Sequence, residues 1–380
     1  MMESKPLGGK IFTKPFKILM IFGIIGVILI LKRYFLGLGS VSNLNDGYPW
    51  GMWIVYDVVT GTAIACGGYA MAMLIYIFNK GEYHPLIRSA LMAGMFGYTL
   101  AGVSIYVDTG RWWNLQNIFL PGTANPNSIM FEVAVCVALY VAVMWIEFSP
   151  AFFEGKEQHK GKLKLLNKVM FFFIALGILL PTLHQSSLGS LMIIAGQKVS
   201  PLWQTNWLPL LYLITAITMG YAIVVFESLF SSIGLKRPLE TSMLSKLAGV
   251  IPKLLVVYFV FRFGDLIYRG ALGHIFDIDL KSFMFILENL LYIYPVVILF
   301  SAAKRKNPKY LFLSAVSMLL AGVLYRFNTY LVGFNPGNGY VYFPSFSEIM
   351  ITVGIIAIEI MAYLVFVKTL PVLPQVKHAQ

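Results

Sequence analysis

Charge is what this sequence has least of. Only 12% of its 380 residues are Asp, Glu, Lys or Arg, about half the share of a soluble domain. With 58% apolar residues and a mean hydropathy of +0.75, a soluble globular enzyme is excluded. Cysteine is nearly missing as well. Cys66 and Cys136 both fall in apolar runs, which leaves neither the roughly four ligands of an Fe–S cluster nor a disulfide framework. Histidine is equally sparse. Haem b in a membrane bundle is usually held by two facing histidines, and only His184 lies at an apolar run, whereas His84, His159, His274 and His378 fall in loops or the tail. The expectation is therefore a chain without haem, Fe–S cluster or metal. Phosphate-binding loops, metal-ligand spacings and Ser/His/Asp sets are also absent. No Lys/Arg-rich block sits in a soluble domain, so the net charge of +12 does not indicate a nucleic-acid partner.

Long apolar stretches are abundant. Windows long enough to cross a roughly 30 Å hydrocarbon core occur at about 16–36, 50–78, 86–107, 128–149, 167–184, 207–230, 247–268, 282–302, 310–330 and 348–368. This predicts an all-α polytopic membrane protein of about ten spans, a single integral membrane domain over residues 1–380 without a large soluble domain. The first window follows several lysines but lacks a small-residue cleavage site, and reads as a retained span.

The few charges are unevenly spread. Of the 29 Lys/Arg residues, 20 lie at the N-terminus, the even-numbered loops and the C-terminus, chiefly in Lys156 to Lys168, Lys236-Arg237 and Lys304-Arg305-Lys306. The odd-numbered loops hold Arg111, Lys198, Arg269 and Lys281. By the positive-inside rule both termini face the cytoplasm; Lys32-Arg33, at the far end of the first span, is the main break in the pattern. The outward loops, Ser40 to Pro49, Asp108 to Ser128, Gln185 to Asn206, Gly264 to Lys281 and Gly333 to Ser347, are rich in turn-forming residues, as in Phe334-Asn335-Pro336-Gly337-Asn338-Gly339. Together they read as an ordered polar cap for docking a partner. Their tryptophans serve equally well as an interfacial aromatic belt.

Ionisable groups inside spans are costly and are default functional candidates. Asp57, Asp108, Glu132 and His184 occupy the outward ends of the second to fifth spans. Such a set suits a two-electron, two-proton carrier, because a quinone carbonyl needs a hydrogen-bond donor and a proton source; helix capping is the structural alternative. Arg262, Asp265, Glu288 and Arg326 sit in the outer third of spans seven to nine, and two arginines against two acids read as a structural ion-pair network. Deeper in, Glu147, Glu227 and Glu359 are candidates for a proton path. Glu147, Glu227 and Lys253 lie near helix ends, where snorkelling also explains them.

Several stretches carry a family resemblance: Pro6 to Lys10, Phe35 to Ser42, Tyr83-His84-Pro85-Leu86, Asp108-Thr109-Gly110-Arg111, Asn127 to Glu132, Leu166 to Met170, Pro181 to Ser187, Arg262-Phe263-Gly264 and Phe334 to Gly337. Over about residues 6–372 the chain resembles the NrfD/PsrC family of quinone-interacting membrane subunits. The resemblance implies two four-helix bundles plus extra spans, in a bacterial inner membrane. It also implies the membrane subunit of a respiratory nickel-iron hydrogenase complex, not catalytic alone. That subunit docks on its periplasmic face to a ferredoxin-like Fe–S protein of the HybA type, which connects to the hydrogenase small and large subunits. Electrons from H₂ would then reach menaquinone, an exchangeable substrate, near that face. Within the family's motifs Glu132 matches a glutamate associated with proton movement, and Asp108 and His184 match the surroundings of the quinone; Asp57 is added from depth alone. A membrane subunit of another oxidoreductase of this family and a non-catalytic anchor are the rival readings.

Overall fold

In lipid a backbone can satisfy its N–H and C=O groups only within itself or a closed sheet, so apolar stretches of span length are committed to helix. The computed structural model describes residues 5–235, 237 and 241–373; Lys236 and His378 lie outside them. Among the described residues ten helical segments are long and apolar enough to cross a membrane: α1 (Lys14–Leu36), α2 (Trp53–Ile77), α3 (Gly81–Asp108), α4 (Ile129–Phe153), α5 (Glu157–Lys198), α6 (Leu208–Gly234), α7 (Thr241–Tyr268), α8 (Leu280–Leu299), α9 (Pro308–Val332) and α10 (Phe346–Thr369). No β-strand occurs among these residues, only an isolated bridge between Val199 and Phe334.

Nine windows agree with the helices to within a few residues. The fifth does not: one helix runs unbroken from Lys160 to Ala195, so Gln185 to Ala195 is not the loop that its polar, small residues suggest. Ser186 and Ser190 donate their hydroxyls to the carbonyls of Leu183 (2.8 Å) and Ser186 (3.3 Å) one turn back, which hides their polarity inside the helix. Gly189 lies so close to the Leu208 backbone that a β-carbon would collide with it. His184 consequently lies about 16 Å before the end of its helix at ~1.5 Å per residue, and not at a span boundary.

The described residues form two compact units. The first comprises residues 5–62, 91–180 and 336–373, and the second 63–90 and 181–335. In the first, α1 packs along α10. Gly26 and Gly354 meet there, and a β-carbon on Gly26 would lie 2.9 Å from Gly354 Cα, the small-residue contact that lets membrane helices approach closely. The other side of α1 exposes Ile18, Ile21, Ile24, Ile28 and Leu31, a surface made for lipid. Tyr98 and Tyr140 join α3 to α4 edge to face, 4.6 Å between ring centroids, and Phe96 and Phe148 both meet Phe366 of α10. In the second unit α6, α7, α8 and α9 pack as a four-helix bundle. Its loops are stitched by Ser200 N–H to Gly333 O and Asn335 N–H to Lys198 O, each 2.7 Å.

Candidate functional site

In the first unit the site is built on α2, α3 and α10. Trp53–Thr60 of α2 winds as a π-helix, a form common at functional sites because its wider turn re-aims side chains. It buries Asp57, whose Oδ2 accepts from Ser104 Oγ of α3 at 3.0 Å and from Thr352 Oγ1 of α10 at 3.4 Å. Spacings of four and seven residues place Glu348, Thr352 and Glu359 on one face of α10. Glu359 lies within electrostatic reach of Asp57. Two carboxyl groups so placed, with hydroxyl donors between helices, can hold and exchange a proton.

Glu348 begins α10 in a reciprocal cap with Ser345. Its Oε2 accepts from the backbone N–H of Ser345 (2.7 Å) and of Asn43 (2.9 Å), and its Oε1 from Tyr342 Oη at 2.5 Å. The Tyr342 hydroxyl in turn accepts from Met52 N–H at 2.8 Å. Burial first, and then the neighbouring Glu348 carboxylate, pushes the Tyr342 phenol well above its ordinary range, so it remains a donor. Asn45 Nδ2 donates to Val341 O and Asn43 Nδ2 to Phe343 O, each at 3.0 Å. These bonds tie residues 43–45 to residues 341–343 and fix the polar end of this unit.

Asp108 closes α3 beside Arg33, within electrostatic reach of both Arg33 and Glu348. Arg33 is 2% exposed; it donates Nε to Val107 O at 2.7 Å and Nη2 to Thr109 O. A guanidinium on the last carbonyls of a helix satisfies them and opposes the negative end of the helix dipole. Arg33 therefore breaks the loop-charge pattern for a local reason: it is a buried helix cap. Asp108 Oδ1 is buried without a hydrogen-bond partner among the described residues. Glu132 stands half-buried in the first turn of α4, with Cys136 one turn on. Glu147 reaches from α4 to Gly177 of α5, where a β-carbon would collide with its Oε1.

His184 belongs to the second unit. It is buried in α5 next to Arg326, whose guanidinium donates to Thr215 Oγ1, Met219 Sδ, Gln185 Oε1 and the carbonyls of Tyr212 and Gly322 at 3.3–3.4 Å. Arg262 and Glu288 form a buried ion pair at 3.8 Å, while Trp203 Nε1 (2.9 Å) and Asn328 Nδ2 (2.8 Å) donate to Glu288 Oε2. Asp265 pairs with Arg269 one turn further on, at 2.6 Å. Glu227 is half-buried on α6 and Lys253 exposed on α7. Sequence reasoning missed Arg33, Ser104, Tyr342, Glu348 and Thr352. The four-residue step from Glu348 to Thr352, continued to Glu359, was the available signal.

A family profile described as polysulphide reductase, NrfD, matches residues 40–334. The chain belongs to the NrfD family. It is 52% identical, over 99% of its length and 96% of the relative's, to the probable Ni/Fe-hydrogenase 2 b-type cytochrome subunit, HybB, of Escherichia coli strain K12. It is 27% identical to the menaquinone reductase integral membrane subunit of Nitratidesulfovibrio vulgaris Hildenborough, over 89% of this chain and 86% of that one. To the Hdr-like menaquinol oxidoreductase integral membrane subunit of Archaeoglobus fulgidus it is 21% identical, over 88% of each. Residues 40–334 exclude α1 and α10, so Arg33, Glu348, Thr352 and Glu359 lie outside the family match.

The first of these relatives is named as a b-type cytochrome, a haem protein, and the haem-free expectation drawn from the histidine count is corrected by that name. The described residues do not present a paired-histidine haem site. His184 is buried in a span, whereas His84, His159 and His274 contact Tyr76, Phe153 and Asp277 at helix ends and loops. No group of three or more His, Cys, Asp or Glu among these residues is placed to hold a metal ion.

Proposed function

We propose that this NrfD-family chain is the membrane subunit of a respiratory nickel-iron hydrogenase-2-type complex in a bacterial inner membrane. It accepts electrons from a periplasmic Fe–S subunit of the HybA type and delivers them to menaquinone. The reading is carried by the 52% identity over 99% of the chain to a hydrogenase-2 subunit. Menaquinone as substrate draws on the names of two further relatives. Both termini lie in the cytoplasm on this reading, which follows the charge asymmetry of the loops.

Quinone reduction consumes two electrons and two protons, so the protein must supply a donor to the carbonyl and a route for protons. Asp57 and Asp108 are the groups assigned to the quinone in the first unit. Asp57 is held in place by Ser104 and Thr352, and Asp108 keeps a buried carboxylate oxygen free of hydrogen bonds among the described residues. Glu132 is assigned as the proton relay, and Glu359, Glu147 and Glu227 as candidates for the path that feeds it. His184 is assigned as a second quinone donor and is tested apart from the others, since it belongs to the second unit. If the protons come from the cytoplasm while H₂ releases its own outside, turnover is electrogenic, at about 2.3 kcal/mol per charge per 100 mV.

The test is H₂-driven reduction of a menaquinone analogue by the complex that co-purifies with this chain, in liposomes with a membrane-potential dye. Glu132→Gln should abolish quinone reduction while the hydrogenase subunits still reduce an artificial dye. Wild-type levels of both activities in the variant would remove Glu132 from the relay.

A further inference from the structure

The core of the second unit holds more buried polarity than the protein satisfies. All three guanidinium nitrogens of Arg262, Oε1 of Glu288 and the hydroxyls of Tyr258, Tyr292 and Tyr325 are buried without a hydrogen-bond partner among the described residues. These five side chains are 0–1% exposed. They are also clustered: the Tyr258 and Tyr292 rings lie 5.0 Å apart, Tyr258 and Tyr325 5.8 Å, and Arg262 Cζ stands 5.2 Å over the Tyr325 ring. Each of the three phenol groups is within electrostatic reach of both Arg262 and Glu288. At 3.8 Å the pair itself is wider than a direct hydrogen bond.

Proteins rarely leave so many buried donors and acceptors unpaired, and a polar site able to offer a water two to four partners is where buried water binds. A guanidinium is never deprotonated in a protein and needs its donors met. We propose that Tyr258, Arg262, Glu288, Tyr292 and Tyr325 enclose a chain of ordered waters, and that this hydrated core passes protons through the second unit with Glu288 as its exchanging group. Each hop breaks one O–H bond as another forms on the next oxygen, so it consumes no oxidant or reductant, and Glu288 returns to its starting form when the proton leaves. The relay rests on the proton-coupling reading above; the hydration does not.

Two experiments on the intact complex test the idea. X-ray radiolytic footprinting hydroxylates a side chain that solvent cannot reach only where bound water lies against it. Tyr258, Tyr292 and Tyr325 should be modified several-fold faster than Tyr330, a buried tyrosine of the same unit whose hydroxyl donates to Leu188 O at 2.7 Å. Rates equal to that of Tyr330 would overturn the hydrated core. The double variant Tyr258→Phe with Tyr292→Phe removes two hydroxyls without a hydrogen-bond partner among the described residues and should keep the fold. In liposomes it should still reduce the menaquinone analogue but build a membrane potential several-fold smaller than wild type. A wild-type potential in the variant would overturn the relay while leaving proton coupling intact. A wild-type complex that reduces quinone without any potential would overturn the coupling reading and the relay together, and footprinting would still decide the hydration.

Discussion

The two units keep charge away from water by different means. The first gathers mainly carboxyl groups: Asp57 is met by hydroxyls, Glu348 by a hydroxyl and backbone N–H groups, Asp108 lies beside the guanidinium of Arg33, and Glu359 lies near Asp57. The second buries two guanidinium groups, Arg262 and Arg326, among tyrosines and neutral acceptors, with Glu288 as the paired acid. A buried carboxyl can shed its charge by taking a proton, whereas a guanidinium keeps it. The difference separates a region whose buried charges are mostly protonatable carboxyl groups from one organised around two fixed guanidinium charges, where Glu288 is the buried carboxyl able to exchange a proton.

That contrast is sharpest in a pair of substitutions. Arg262→Leu leaves Glu288 charged and buried, and should destabilise the protein by about 3–5 kcal/mol. Adding Glu288→Leu should recover most of the loss. Asp57→Asn keeps an acceptor for Ser104 and Thr352 and should cost under about 1 kcal/mol, although it removes the exchangeable proton. Thermal unfolding of the complex in detergent measures all three, and equal losses for Arg262→Leu and Asp57→Asn would erase the contrast. A smaller effect tests how the first unit is held. Gly354→Ile drives a branched side chain into the Gly26 backbone and should cost about 1–3 kcal/mol by overpacking, read as lower melting temperature and as weaker cross-linking of cysteines engineered into α1 and α10.

The smallest effect lies outside the membrane. Asp279 caps α8 by accepting from Ser282 N–H at 2.7 Å, and that bond holds its carboxyl below the ordinary aspartate range. A depressed folded-state value means that the contribution is complete above the unfolded aspartate pKa of about 3.9 and is lost as pH falls through the folded one. Asp279→Ala should cost about 1 kcal/mol at pH 7 and almost nothing near pH 2. An equal loss at both values would show that the cap's carboxylate charge is not what matters.

The spans were legible because lipid imposes a simple rule: a long apolar run can cross only as a helix. Nine of ten windows followed that rule closely, and the fifth failed because serine hydroxyls can bond back to their own helix, so Gln185 to Ala195 looked like a loop while folding as a span. Family membership was legible in motifs spread along the chain from Pro6 to Gly337. The histidine count misled on haem, since the name of a relative carries chemistry that counting side chains did not. Asp57 was visible as a charge at depth, yet its partners Ser104 and Thr352 lie 47 and 295 residues away, and nothing in the chain announces them. By itself the sequence determined ten helices, their apolar character and which titratable groups they carry. Only the tertiary structure decided that Arg33 caps α3, that Asp265 turns to Arg269, and that three tyrosines close around Arg262 and Glu288. The reason is physical: periodicity and composition act along the chain, whereas hydrogen bonds and burial are settled between segments that only folding brings together.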